Sequence, residues 1–245
     1  MERVSGRKPD EIRNITITKN FIKNTEGSAL IECGNTKVIC TVTIAKHVPV
    51  WLKGSGKGWL TSEYGMLPAC ASARISRDKH LASGRTKEIQ RLIGRTLRSV
   101  IDLECFGEKT IHIDCDVIQA DGGTRTASIN GAMTALFSAM IKLKECGDIE
   151  KSPINDIIGA LSVGISDGEI ITDLDYIEDC NAQVDMNVVM NSAGKFVEIQ
   201  GTAEKNPFDA EQLKDLLSYA QKGISEIIAI QKEIFKNDLA WLINL

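Results

Sequence analysis

No apolar run in this sequence approaches the roughly 18 residues needed to span a bilayer, and the first ten residues are polar and charged with no apolar segment behind them. The chain is therefore expected to be cytoplasmic, with no membrane partner. Proline is scarce at five residues, and no Pro- or Ser-rich stretch marks a linker or domain boundary. Histidine is scarcer: His47, His80 and His112 have no spacing suited to a shared metal. The seven cysteines are odd in number, scattered and without a Cys-x-x-Cys pair, which argues against a structural zinc site and a disulfide framework. Several, such as Cys40 and Cys115, fall in apolar patterns, where a thiol acts as a small hydrophobe. No Gly-Lys-Ser/Thr follows the glycine-rich turn at Gly122-Gly123, so a Walker-type nucleotide site is absent.

What is present is an ordinary globular composition, 43% hydrophobic and 25% charged over 245 residues, enough for a large core in one domain. The net charge of −4 weighs weakly against nucleic acid as a partner, but charge distribution matters more than its sum. Between Arg74 and Arg98 the chain carries eight basic residues, including Arg77, Arg85, Arg91 and Arg95, against only Asp78 and Glu88.

Alternation predicts a strand over Ile12 to Ile17, and a hairpin of Ala29 to Glu32 and Lys37 to Ile44 turning at Gly34-Asn35. Lys53 to Gly58 reads as a surface turn or a flexible RNA contact. Ile89, Leu92, Ile93, Leu97, Val100 and Ile101 recur at helical spacing, with Arg91, Arg95 and Arg98 on the opposite, solvated stripe. Thr110 to Ala120 reads as a strand and Thr124 to Glu145 as a buried helix. Ile157 to Ser166 and Glu169 to Asp173 flank the Asp167-Gly168 turn. Gln183 to Met190 and Lys195 to Gln200 form a further pair, and Asp209 to Phe235 a long helix. The expected fold is one α+β (mixed α/β) domain with β-sheets packed against helices.

Two segments can carry chemistry. Asp121-Gly122-Gly123-Thr124-Arg125-Thr126 lies between a strand and a helix. Helix-start N–H groups lack internal partners, glycine lets backbone approach an anion, and Arg125 adds a forked cation. The segment reads as a phosphate cradle or as a plain turn that starts a helix. The second is acidic: Asp173, Asp175, Glu178, Asp179 and Asp185. Asp185 sits in an apolar strand, where an unpaired carboxylate is costly. Six positions apart in an extended chain, Asp179 and Asp185 would face one side and hold Mg²⁺ or move a proton. The alternative is a solvated acidic loop with one salt-bridged aspartate.

Taken together these segments resemble ribonuclease PH. The resemblance rests on Glu26-Gly27-Ser28, Gly34 to Cys40, Gly56-Lys57-Gly58-Trp59, Glu63-Tyr64, Met66-Leu67-Pro68, Gly84 to Arg95, Asp114 to Ser128, Asp175 to Asp179, Val184 to Met190 and Glu198 to Glu204, in family order. It covers residues 1–235 as a single ribonuclease PH-like domain and leaves 236–245 as a C-terminal tail. It implies a phosphate-dependent 3′-5′ exoribonuclease and tRNA nucleotidyltransferase acting on the 3′ end of precursor tRNA and releasing nucleoside 5′-diphosphates. It further implies a homo-hexameric ring built as a trimer of dimers. Carried over by position, Arg85, Gly123, Thr124 and Arg125 are the phosphate site. Asp179 and Asp185 are the catalytic pair and Mg²⁺ ligands, and Arg74 and Arg77 guide RNA. An inactive ring subunit that only binds RNA would be expected to lack part of this set; a hydrolytic nuclease would not need phosphate.

Two departures stand out: Ser5 where the family has Asp before Gly-Arg, and Ala69-Cys70-Ala71-Ser72 after Pro68. They bear on RNA guiding rather than on chemistry. The apolar tail fits packing on a neighbouring subunit or disorder.

Overall fold

The computed structural model describes residues 3, 5–104 and 106–243; Cys105, Asn244 and Leu245 lie outside the described residues. Two sheets carry the fold. The first contains β1 (Ile15–Lys19), β2 (Gly27–Cys33), β3 (Thr36–Ala45), β4 (Trp59–Met66) and β5 (Thr110–Gln119), in the order β1-β2-β3-β5-β4. All its pairings are antiparallel except β4 with β5. The second contains β6 (Ile158–Ser166), β7 (Glu169–Thr172), β8 (Val184–Asn191) and β9 (Phe196–Ala203), ordered β7-β6-β8-β9 and antiparallel throughout. The helices are α1 (Arg77–Leu81), α2 (Gly84–Arg98), α3 (Thr124–Glu145), α4 (Tyr176–Asn181), α5 (Ala210–Ile234) and α6 (Leu239–Leu242).

Helix α3 packs against both sheets, and this explains its composition. From Thr126 to Met140 it is buried on every side, so it lacks the polar stripe of a surface helix. Small residues let it approach the strands: a Cβ on Gly131 would lie 2.7 Å from Cys40 Sγ. Asn130 ties it to the second sheet by accepting from the Ala160 N–H at 2.8 Å and donating to the Ala160 carbonyl at 2.9 Å. One contiguous apolar core, including Ile31, Ile113, Phe137, Val163 and Val188, runs through both sheets. Helix α5 covers the second sheet with Leu216, Ala220, Ile224, Ile227 and Ile228 buried. The expected α+β architecture of sheets on helices is what the chain adopts.

Several elements depart from the sequence reading. The first strand starts at Ile15, not Ile12, because the Arg13 backbone N–H is taken by the Asp173 carboxylate at 2.7 Å. Strand β4 is new; it pairs parallel at the sheet edge, so no hairpin turn announces it. Helix α4 replaces the extended acidic segment, because Asp175 and Glu178 form a reciprocal capping box. Arg98 is not on a solvated stripe: it donates to the Leu60 carbonyl at 2.9 Å and stacks over Trp59 at 4.8 Å, both on β4. Arg91 and Arg95 stay exposed, with Arg95 paired to Glu198. Within the described residues, the tail packs on its own chain. Leu242 and Ile243 are buried, the Leu242 carbonyl accepts from Ser152 Oγ at 2.6 Å, and Trp241 Nε1 donates to the Glu150 carbonyl at 3.2 Å. Cys33, Cys40, Cys70 and Cys115 are buried and Cys146 and Cys180 exposed, all as free thiols. Among the described residues, no helix is long and apolar enough to cross a membrane.

Candidate active site

The two sheets meet at a cavity of about 530 Å³. Strand β5 delivers the chain to Asp121, and Gly122 (φ 72°) and Gly123 (φ 64°) then turn it into α3 in a left-handed conformation that glycine adopts without strain. Space demands glycine as well: a Cβ on Gly122 would lie 2.6 Å from the Leu174 carbonyl oxygen. Gly123 is the N-cap and offers no side-chain acceptor, so the first N–H groups of a 22-residue helix stay uncapped where Gly123, Thr124 and Arg125 line the cavity. Tyr64 Oη lies 2.9 Å from Thr124 Oγ1 and holds that hydroxyl in place from β4.

Arg85 lies at the start of α2, where Ser83 caps the helix by accepting from the Thr86 N–H at 3.1 Å. Its side chain is exposed and lines the same cavity. Arg125 is held only loosely, with long contacts to Glu88 Oε1 at 3.5 Å and Gln200 Oε1 at 3.4 Å. Two guanidinium groups are thus available beside an uncapped helix start, which suits a phosphate-sized anion.

Two acids line the same cavity. Asp179 comes from α4 and Asp185 from the start of β8, where it sits opposite Gly164 of β6. They do not meet through an extended chain, as the spacing implied. They meet because α4 turns back into β8 through Ala182 and Gln183. Neither carboxylate takes up a hydrogen bond among the described residues. Burial pushes Asp185 up to about 6, and the Asp179 charge adds to this while Arg125 and Arg85 oppose it. Burial also raises Asp179, again against Arg85 and Arg125. Those mutual influences place both acids within electrostatic reach of both arginines. The other acids of the cluster have different roles. Asp173 and Glu178 are buried in arginine pairs, and Asp175 caps α4 by accepting from the Ile177 and Glu178 N–H groups.

All six positions read as phosphate or carboxylate sites, Arg85, Gly123, Thr124, Arg125, Asp179 and Asp185, therefore line one cavity. Arg74 and Arg77 do not. Both are exposed, Arg74 on the segment leading into α1 and Arg77 at its first residue, beside the Ala71, Ser72, Ala73 and Ile75 wall. The departure at Ala69–Ser72 thus falls on the cavity rim, whereas Ser5 accepts from Arg7 Nε at 3.0 Å, away from it. The sequence reading missed Asn187, Ser162 and Tyr176. Asn187 is two residues beyond Asp185 on the same strand face, a signal available from the period of two. Ser162 lies opposite Asn187 in the β6–β8 register, and only the pairing reveals it.

Among the described residues, no group of three or more His, Cys, Asp or Glu side chains is placed to hold a metal. Two free aspartates with oxygen donors only are nonetheless a donor set that fits Mg²⁺. That ion keeps several waters and binds through one or two carboxylates plus substrate phosphate.

Comparison with solved structures finds the same fold. A crystal structure of rice (Oryza sativa) Rrp46 aligns with a TM-score of 0.75 at 20% identity, over 94% of this chain and 98% of that one. The Archaeoglobus fulgidus exosome with RNA bound to the active site gives 0.80 at 20% identity, over 93% and 92%. An archaeal exosome core gives 0.76 at 21% identity, over 95% and 90%. Residues 11–142 match domain 1 of the 3′ exoribonuclease family, and residues 156–223 match its domain 2. With the sequence matched from β1 into α5, the chain belongs to the ribonuclease PH family of 3′ exoribonucleases.

Proposed function

We propose that this protein is a phosphorolytic 3′-5′ exoribonuclease that removes 3′-terminal nucleotides from precursor tRNA and other RNA. The observation that carries this reading is the meeting of Arg85, Gly123–Arg125, Asp179 and Asp185 in one cavity. An inactive, RNA-binding ring subunit has no need to keep a cationic cradle and two unpaired carboxylates face to face.

In this mechanism inorganic phosphate rests on the α3 N-terminus between Arg85 and Arg125, with Thr124 donating a hydroxyl. The scissile phosphodiester lies between the cradle and the acids, where positioning and charge neutralisation supply most of the catalysis. An oxygen of the bound phosphate attacks phosphorus, and the bond from phosphorus to the 3′ oxygen of the preceding nucleotide breaks. Asp185 donates a proton to that leaving oxygen and recovers one from the attacking phosphate. The products are a nucleoside 5′-diphosphate and an RNA one residue shorter with a free 3′ hydroxyl. Every step reverses, so the same groups support nucleotide addition. Mg²⁺ on Asp179 and Asp185, when bound, offsets charge on the scissile phosphate. Arg74 and Arg77, exposed at the rim, are the proposed guides for the RNA backbone.

The direct test is to incubate the protein with a tRNA bearing a short 3′ tail, with and without phosphate. Shortening with release of nucleoside diphosphates is expected only with phosphate. Nucleoside monophosphates released at an undiminished rate without phosphate would indicate hydrolysis. RNA binding without shortening in either buffer would support the inactive-subunit reading.

The family resemblance also supports a homo-hexameric ring, the proposed working form. Val50 at 91% exposure and Trp51 at 66% are large apolar side chains suited to subunit contacts. Light scattering is expected to give six chains per particle; a fully active monomer contradicts the ring.

A further inference from the structure

The segment before β1 contributes three arginines that converge behind the active site. Arg3 is 4% exposed and Arg13 7%. Arg13 forks onto Asp173, with Nε donating to Oδ2 at 3.0 Å and Nη2 to Oδ1 at 2.7 Å. Its remaining nitrogen, Nη1, donates to the Asp121 backbone carbonyl at 2.6 Å. Arg3 forks onto Glu178 at 2.6 and 2.7 Å and also donates to the Thr172 and Asp173 carbonyls at 2.9 and 3.2 Å. Arg7 reaches the Asp173 carbonyl at 3.0 Å and Glu178 Oε2 at 3.3 Å.

These contacts fall on the two halves of the site. Asp121 opens the glycine turn of the phosphate cradle, on the first sheet. Asp173 follows β7 directly and Glu178 precedes Asp179 in α4, on the second. Asp173 holds a left-handed backbone (φ 56°), a conformation that costs energy outside glycine and that the Arg13 fork fixes in place. Burial disfavours its charge, but the Arg13 hydrogen bonds outweigh that and hold its carboxyl below the usual range. The fit is close: a Cβ on Gly123 would lie 2.7 Å from Arg13 Nη2.

We propose that Arg13 and Asp173 are positioning residues that set the separation between the phosphate cradle and the two catalytic aspartates, and that Arg3 and Arg7 fix α4, and with it Asp179, from behind. This rests on the phosphorolytic reading above. None of these side chains lines the cavity, so they act through Asp121, the glycine turn and α4. Positioning of this kind matters because a displacement of about 1 Å between reacting groups can cost on the order of 10²-fold in rate.

Arg13→Lys keeps the buried charge but cannot fork onto Asp173 and reach the Asp121 carbonyl together. With positioning as its role, KM for phosphate is expected to rise about 10-fold and kcat to fall about 10-fold per folded molecule, while RNA affinity is unchanged. Arg3→Lys keeps a cation on Glu178, and the Arg3 contacts lie on α4, Thr172 and Asp173 and the N-terminal segment rather than on Asp121 or the glycine turn, so it is expected to lower kcat about 10-fold with KM for phosphate unmoved. Folded fraction is measured by near-UV circular dichroism on each preparation, and wild type is assayed in parallel. If Arg13→Lys does not fold, the kcat-only signature of Arg3→Lys carries the test. Variants whose folded molecules keep wild-type kcat and phosphate KM overturn the inference and leave the function intact. A wild type that shortens RNA without need of phosphate overturns the function itself, and this inference with it.

Discussion

Asp185→Asn is expected to lower phosphorolytic turnover by roughly 10² or more, the usual scale for losing an acid–base or charge-stabilising group. The substitution keeps the shape of a side chain that faces the cavity and removes both its proton and its charge. RNA affinity is expected to stay within a few-fold. Stability should change in the opposite direction to activity. The Asp185 carboxyl is pushed up to about 6, first by burial and then by Asp179, against about 4 in an unfolded chain. Between those values the folded state binds more protons than the unfolded one, so stability falls as pH rises through this window. The penalty is absent below pH 4 and full above pH 6, where it amounts to at most about 3 kcal/mol. Asn pays none of it. The variant should therefore match wild type near pH 4 and exceed it in melting temperature near pH 7. A structural aspartate predicts the reverse: a less stable variant whose folded fraction works normally. Melting curves at both pH values, with phosphorolysis on the same samples, separate the two.

Arg125→Ala and Arg85→Ala are expected to act through phosphate. Each removes one charge-assisted contact to the bound anion, worth about 1.5–3 kcal/mol, and should raise KM for phosphate about 10- to 150-fold. Arg125 makes only long contacts, to Glu88 at 3.5 Å and Gln200 at 3.4 Å, so little structural bonding is lost with it. Arg85 is exposed, so its removal leaves no buried partner stranded. Melting temperatures should hold, and RNA affinity should change less than phosphate KM. Wild-type turnover at low phosphate by either variant would remove that arginine from the cradle.

These two results probe the halves of a site that were legible to different degrees. The glycine turn into α3 was legible because its signals are local. Two glycines, hydroxyls and an arginine between an alternating strand and an apolar run can only make a turn into a helix start. The acids were harder to read. A cluster of five carboxylates looks uniform in sequence, yet the fold gives them three jobs. Asp173 and Glu178 take arginines from the N-terminal segment, more than 150 residues away. Asp175 caps a helix, and only Asp179 and Asp185 face the cavity. The capping box at Asp175 and Glu178 was a readable sign that the segment is helical, and with it the same-side argument from extended spacing fails.

The sequence by itself determined the period of each long element, the turns at Gly34-Asn35 and Asp167-Gly168, the buried character of α3 and the residue types of the site. Those follow from backbone sterics and hydrophobic patterning within a few residues, which need no knowledge of the partner. Tertiary structure alone decided the rest. The edge strand β4 exists because β5 offers it a parallel ladder, and Arg98 turns inward because β4 then supplies a carbonyl and an indole ring. Ser162 reaches the cavity through the β6–β8 register. Arg13 joins the two sheets, and Arg3 and Arg7 seat on the second, because burying their charges requires carboxylates that lie more than 150 residues along the chain. Long-range pairing of this kind depends on which surfaces the core brings together, and no local pattern records it.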